Sequence, residues 1–469
     1  MGRGGNPTGV GRVTRAAARG RPVRLQRKKI IHSELIIDAG RRLRHIDRQA
    51  EVRIVCRPAD DGAAMLSQAA GGQGSNSAIM RQFNERVILT ALRRLGEASK
   101  AELARQASLT QNTAGQIVRE LERQRLVRTV GKRAGARGQP ATLLQLDADG
   151  AYSIGIQLGR RSVDGLLIDF SGQVLEARRH ERAFPMPDEA LEIALGEIAA
   201  LRRSIPAGGR SRLAGVGLAI PYNLGSWRRE LDIPGDTYAA WNDFDIAARL
   251  RDEAGLPVLV ENDGTAAAVA ELFQGHGREL DDFVTVYIGA AIGGGVVLGG
   301  DYRRGATGNA GDIGLMPVPP SRLPTAPRPS RPFDILLTRA SVNSLIRHLR
   351  AATGVEVADR AGLDEAVERH SGPVREWLED CADALVGPLL SIGCVLDVQA
   401  IVIEGDLPDG LTGELVGRLR ELLAAAAPEA REPPALRIGT MGRSAAATGA
   451  AILPLHLNYS PSQQMLFGS

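Results

Sequence analysis

The residues best placed to do chemistry in this 469-residue chain are Gln111-Asn112-Thr113, Gln116 and Arg119, with Lys132, Arg133 and Arg137 shortly after. On a helix whose inner face is Ala114, Ile117, Val118 and Leu121, the first five point outward. Small amides in that position pair with base edges in a DNA major groove, Gln or Asn especially with adenine. The basic residues that follow, read as a turn, suit phosphates or a minor groove. A three-helix module that only packs or dimerises, with a solvated basic face, is the plain alternative. Soft ligands offer less. Cys56, Cys381 and Cys394 are widely spaced and odd in number, which argues against a disulfide scaffold. Cys381 and Cys394 lie on an apolar helical stretch and are expected in the core. His180, His276, His348, His370 and His456 form no spacing cluster.

Three helices must position those amides. Apolar residues recur at helical spacing from Ile79 to Leu95, and Gly96 ends that helix. Ser99-Lys-Ala-Glu102 reads as a capping box that starts a short helix from Lys100 to about Ala107. A tight turn through Ser108-Leu109 follows, and Thr110 caps a third helix from Gln111 to about Arg125. Gly115 weakens that helix by roughly 1 kcal/mol relative to Ala. Two β-like runs, Leu126–Val130 and Ala141–Leu146, flank the basic turn. Three helices and a basic hairpin make a winged helix-turn-helix.

From Ala151 the pattern becomes α/β. Strands are expected at Tyr152–Leu158, Val163–Phe170, Gln173–Arg178 and Leu213–Ile220, with a helix near Asp188–Arg203. A similar order recurs at Phe283–Gly289, Gly294–Leu298 and Ala400–Glu404, which implies two lobes and a cleft between them. Phe283–Gly300 just reaches the ~18 residues of a membrane span, but its six glycines and β-branched residues fit two strands around a Gly turn better.

Charge divides the chain in the same way. The net +4 resolves into +9 over residues 1–79, +6 over 80–150 and −11 over 151–469. A basic front on an acidic body suggests a nucleic-acid-binding end joined to a domain that binds something else. The first 29 residues hold nine Lys or Arg and no acid. A disordered tail or over-extended start, a nucleic-acid-binding arm and a transit-like peptide all fit that composition, and Met65 and Met80 are candidate starts. Ala69–Ser77 reads as a flexible linker. No signal peptide opens the chain, so a reducing cytoplasm is the expected compartment, with no membrane partner.

Five landmarks in order, Gly155-Ile-Gln-Leu-Gly159, Gly215–Pro221, Val260-Glu-Asn-Asp263 with Ala266–Glu271, Gly289–Gly295 and Gly308–Gly314, resemble the ROK family of repressors, open reading frames and sugar kinases. The resemblance covers about residues 79–456, and the preceding winged helix is similar to that of the repressor branch. It implies a two-lobed actin/hexokinase-like (ribonuclease H-like) ATPase-fold body behind the winged helix-turn-helix. The expected organisation is a basic tail and linker over 1–78, the DNA-binding domain over 79–148, the kinase-like body over 149–456 and a tail over 457–469.

Departures from the family pattern bear on activity. Gln157 stands where similar kinases carry the Asp that helps organise Mg²⁺ and phosphate, and a neutral amide cannot supply that charge. The usual Gly-Thr-Gly is Gly289-Ala290-Ala291, which puts a Cβ where backbone approaches phosphate. Glu404-Gly405-Asp406 replaces a Gly-Gly turn on the adenosine side. The family's Glu-x-Gly-His becomes Asp312-Ile-Gly-Leu315, and Leu337 aligns with a hydroxyl-binding Glu. Pro317–Pro332 has neither Cys nor His where a zinc segment would lie, so no metal is expected. The family's Gly-Arg-Pro wing reads Gly138-Gln139-Pro140, where Arg137 is a candidate substitute. Asp263 keeps the position of a general base towards a sugar hydroxyl, a vestigial catalytic candidate; equally, Asn262 and Asp263 can cap a helix starting near Gly264.

The resemblance thus implies a DNA-binding regulator, a homodimer on a double-stranded operator. Its body lacks kinase activity, with no ATP, Mg²⁺ or zinc cofactor. Asn262, Asp263 and Asp312 are the candidate contacts for a sugar or sugar-phosphate effector. The alternative is an ATP-dependent sugar kinase with an added DNA-binding domain. A third class is an interaction protein whose body only assembles dimers.

Overall fold

In a computed structural model of the chain, residues 74–133, 140–182, 184–222, 224, 237–427, 429 and 431–462 are described. All belong to the unit Glu51–Ser469. Arg137, Gly138, Gln139, Cys56 and most of the expected tail lie outside the described residues. Helix α1 spans Gly74–Leu95, so the last four residues of the expected linker are helical. Once the apolar repeat around Val87–Leu92 forms a helix, extension by a residue adds a hydrogen bond at little further cost, which polar Gly and Ser residues can follow. Then come β1 (Ala98–Ser99), α2 (Lys100–Gln106), α3 (Gln111–Arg123), β2 (Val127–Arg133) and β3 (Ala141–Leu146).

The local chemistry explains these bounds. Glu102 N donates to Ser99 Oγ at 3.3 Å and Ser99 N to Glu102 Oε2 at 2.7 Å, completing the capping box. Ser108 takes φ 53° in the turn, and Thr110 Oγ1 accepts from Thr113 N at the start of α3. Ala114, Ile117, Val118 and Leu121 are buried against Ile88, Leu92, Leu103 and Leu144. Strands β1, β3 and β2 form one antiparallel sheet in that order. Lys132 and Arg133, read above as turn residues, instead pair on β2 with Thr142 and Ala141. A bulge at Thr129/Gly131 absorbs an extra residue and lets the ladder run on.

The body holds two sheets of one topology. Strands β4 (Tyr152–Leu158), β5 (Ser162–Asp169), β6 (Val174–Glu181), β7 (Leu213–Ile220) and β8 (Val258–Asn262) pair in the order β6-β5-β4-β7-β8. Helix α4 (Pro187–Ser204) precedes β7, α5 (Ile246–Ala254) precedes β8, and α6 (Asp263–Gln274) follows it. The second lobe has β9 (Phe283–Ile288), β10 (Ile292–Leu298) and β11 (Asp301–Arg303), a short β12 (Pro317–Val318) and β13 (Asp334–Ile335), then four helices. These are α7 (Leu336–Arg339), α8 (Val342–Thr353), α9 (Arg360–Arg369) and α10 (Ser371–Leu396). Then follow β14 (Ala400–Gly405), α11 (Asp409–Ala426), β15 (Leu436–Ile438) and α12 (Ala445–Tyr459). Its sheet order is β11-β10-β9-β14-β15. In both lobes three antiparallel strands are followed by two parallel ones in the same relative order. The run Phe283–Gly300 is thus the β9–β10 hairpin and the residues just beyond it, as its glycines suggested.

The final helix of each lobe crosses to the other. Helix α6 packs on β9 and β10, α12 packs on β4 and β7, and the two pack on each other. This crossing depends on glycine: a Cβ on Gly449 would lie 1.7 Å from Ala266 O, and one on Gly217 1.8 Å from Ala450 O. The expectation for the cysteines is half corrected. Cys381 is buried, but Cys394 is exposed near the end of α10, where one helical face leaves the core and Val395 is 79% exposed.

Candidate effector pocket and nucleic-acid interface

On the N-terminal module, α3 presents Gln111, Asn112, Gln116 and Arg119 as exposed side chains, while Thr113 is half-buried with its hydroxyl 2.9 Å from that of Thr110. Lys132 is exposed on β2. Arg133 is already engaged: its guanidinium lies 3.0 Å from Glu97 and 3.0 Å from Glu102. It braces the wing strand against the cap of α2 instead of reaching outward. A Cβ on Gly115 would meet only Arg119 Nη1, at 3.9 Å, so the fold itself leaves room for alanine there.

The three candidate effector contacts lie together. Asn262, Asp263 and Asp312 line one pocket of about 540 Å³, part of it open to solvent, with Arg160, Tyr222, Tyr287, Asn309 and Leu337. Asn262 and Asp263 come from the β8–α6 junction, Asp312 and Asn309 from the loop beyond β11, Arg160 from the β4–β5 turn, Tyr222 from just after β7, Tyr287 from β9 and Leu337 from α7. Asn262 Oδ1 accepts from Gly264 N at 2.9 Å and Asp263 Oδ1 accepts from the same amide at 2.8 Å. Asn262 is therefore the N-cap of α6, while Asp263 occupies its first turn and still faces the pocket. Burial raises the Asp263 pKa, with Arg160 opposing. Burial also raises that of Asp312, opposed by the Asn309 amide, which donates at 2.8 Å. Leu337, at the position the resemblance aligns with a hydroxyl-binding Glu, adds an apolar side chain to the lining. Arg160 escaped the sequence reading; its signal was a long cation immediately after the Gly159 turn.

Across the β9–β10 hairpin from that pocket, charged side chains of both lobes gather. Gln157 is buried with Nε2 3.5 Å from Tyr287 Oη. A Cβ on Gly289 would lie 3.0 Å from the Tyr287 ring, a tight contact, and 3.4 Å from Asp406 Oδ2, an ordinary one. Burial raises the Asp406 pKa, and Arg179, Arg443 and Arg360 oppose it. Asp164, 3.4 Å from Arg179, is pushed up to about 6 by burial. Arg161 donates to Val357 O and Ala358 O, tying one lobe to the other across the cleft mouth. Glu404, buried beside Glu271, is held well above the usual carboxylate range by burial first and Glu271 second. None of these arginines was legible as part of a site, because they come from separate strands and helices.

Where a zinc segment was considered, an ionic clasp holds the chain. Arg339, 2% exposed, donates to both Asp380 oxygens, to Asp383 and to Pro319 O. Ser321 Oγ donates to Asp380, and His348 Nδ1 lies 2.6 Å from Thr325 Oγ1. Among the described residues no helix is long and apolar enough to cross a membrane.

Comparison with known proteins places this geometry. The ROK family model matches residues 153–456. An uncharacterized protein of Sinorhizobium fredii, y4fQ, is 27% identical over 373 residues, covering 79% of this chain and 90% of its own. The xylose repressor of Bacillus spizizenii is 23% identical over 244 residues, covering 52% of this chain and 62% of its own length. A glucokinase of Halalkalibacterium halodurans is 28% identical over 259 residues, with 51% and 76% covered. A solved ROK family transcriptional regulator, a homolog of the E. coli MLC protein, superposes with TM-score 0.58 at 20% identity over 83% of this chain and all of its own.

Proposed function

Because this chain belongs to the ROK family, whose members similar to it include both repressors and sugar kinases, we propose that it is a DNA-binding transcriptional regulator with a catalytically silent body. Residues 79–148 form a winged helix-turn-helix, with α3 as the recognition helix, and residues 149–456 form the kinase-like body. Two such modules in a cytoplasmic homodimer read a palindromic operator, and a sugar or sugar phosphate in the Asn262–Asp263–Asp312 pocket acts as effector. The observation that carries this reading is the Asp406 carboxylate beside Gly289, 3.4 Å from where a Cβ on that glycine would lie, at the turn the resemblance assigns to phosphate. A nucleotide's phosphates at that turn would meet negative charge, and Gln157 offers none to organise Mg²⁺. The retained Asp263 and the glucokinase relative favour the kinase reading, and Asp263 Oδ1 already accepts from Gly264 N with Arg160 nearby.

The test has two arms. Purified protein with ATP, Mg²⁺ and a panel of aldoses and amino sugars should release no sugar-dependent ADP; steady turnover would overturn the regulator reading. A randomised-duplex selection should return a two-fold symmetric motif, and Gln116→Ala or Asn112→Ala should alter the preferred bases. An unchanged motif would remove α3 from the interface.

A further inference from the structure

We propose that Arg93 is the pin of a two-state docking joint that couples the ligand cleft to the N-terminal module. Helices α6 and α12 both begin at the cleft: Asn262 and Asp263 open α6 in the pocket, and Arg443, just before α12, faces Asp406. Both end beneath the module. Phe273, at the end of α6, lies with its ring centroid 4.6 Å from the Arg93 guanidinium, and the Phe170 ring lies 5.9 Å from it. At the end of α12, Leu457 O and Ser460 O each accept from Arg86 Nη1 at 3.1 Å. Twelve residues of α6 span about 18 Å at 1.5 Å per residue. The crossing of α6 and α12 has no slack, because Gly449 meets the Ala266 carbonyl without room for a Cβ. A displacement at one end is thus carried to the other as rigid motion, not absorbed in side-chain rearrangement.

The joint itself is built to open. The module's core is continuous with the far ends of both helices: Ile88, Leu89 and Leu92 share one apolar cluster with Phe273, Ile452 and Leu455. Arg93 is 8% exposed within it, and its Nη1 and Nη2 have no hydrogen-bond partner among the described residues. Burial pushes its pKa down to about 10. The two aromatic faces compensate a buried guanidinium only in part, whereas undocking returns all its N–H groups to water. The polar bonds around it are few among the described residues: Arg94 to Asp281 at 2.6 Å, the two from Arg86 to the end of α12, and Arg212 of the body to Gln124 O at 3.5 Å. A cation that is poorly satisfied when docked and well solvated when released narrows the gap between the two states, which lets a ligand at the cleft bias them.

The inference concerns docking, and only its last consequence rests on the module's binding DNA. Hydrogen exchange on the full chain tests it. Arg93→Met keeps the length and apolar contact but removes the charge, so amides of residues 86–95 should exchange at least tenfold more slowly, with β14 unchanged. Arg93→Glu should expose the same amides while β14 stays protected, showing the body folded. Asn262→Ala, at the cleft end, should speed exchange at 86–95 in the wild type but add nothing in Arg93→Glu. Unaltered exchange at 86–95 in both Arg93 variants would overturn the joint, and strictly additive effects of Asn262→Ala would overturn the coupling. If the joint holds, Arg93→Met should also shift the Kd for the selected duplex at least fivefold. Absence of any selected duplex would sink the DNA-binding reading and leave the exchange result to decide the joint alone.

Discussion

The Arg133 guanidinium is shared between Glu97 and Glu102 at 3.0 Å each, so its charge is largely neutralised before any phosphate approaches. Lys132, one residue earlier and exposed, has no ion-pair partner among the described residues. Lys132→Ala should lower the dependence of log Kd on log salt by roughly one, while Arg133→Ala should leave that slope near its wild-type value; salt titrations of duplex binding distinguish them. Asp164 makes a second prediction at this scale. Its pKa rises from 3.8 to about 6 in the folded chain. Below pH ~4 the carboxyl is protonated in folded and unfolded chains alike, and above pH ~6 it is ionised in both, with the ionised form disfavoured in the buried site. The folded state therefore loses stability as pH rises between those values, by about 3 kcal/mol at 1.36 kcal/mol per pKa unit. Asp164→Asn should flatten the change in denaturation midpoint between pH 4 and 6; an undiminished slope would place the titration elsewhere.

Short elements set the geometry of the module. Helix α2 has seven residues, too few to hold itself without its cap. Ser99→Ala removes the acceptor for Glu102 N and should destabilise the chain by about 1 kcal/mol. The change keeps the residue 99 amide donating to Glu102 Oε2 and so keeps the brace on Arg133, so equilibrium unfolding should respond while exchange at β2 stays near its wild-type rate. The turn, the caps and the buried face of α3 were legible in the sequence because each depends on residues within a few positions. The extent of β2 was not: it runs to Arg133 by pairing with β3 across a bulge, and pairing partners leave no local signature. Cys394 was placed in the core for a related reason, since apolar content does not say which helical face meets a partner.

At the scale of the whole molecule, the acidic body and basic module fit a regulator that meets DNA with one end. Under the homodimer reading, the two-fold motif should have half-sites spaced by about one helical turn, ~34 Å, or a multiple. Light scattering should give twice the chain mass, and a strictly monomeric chain that still selects a palindrome would contradict this. By itself, the sequence determined the order of elements, the two-lobed body and the outward-facing amides of α3. Local propensity, capping and glycine spacing carry that information along the chain. Only the tertiary structure decided that Arg160 and Leu337 join Asp263 in one pocket, that Asp406 lies beside Gly289, and that Arg93 is buried where the module meets the body. These residues lie tens to hundreds of positions apart, and what each does follows from the low-dielectric surroundings that only packing creates.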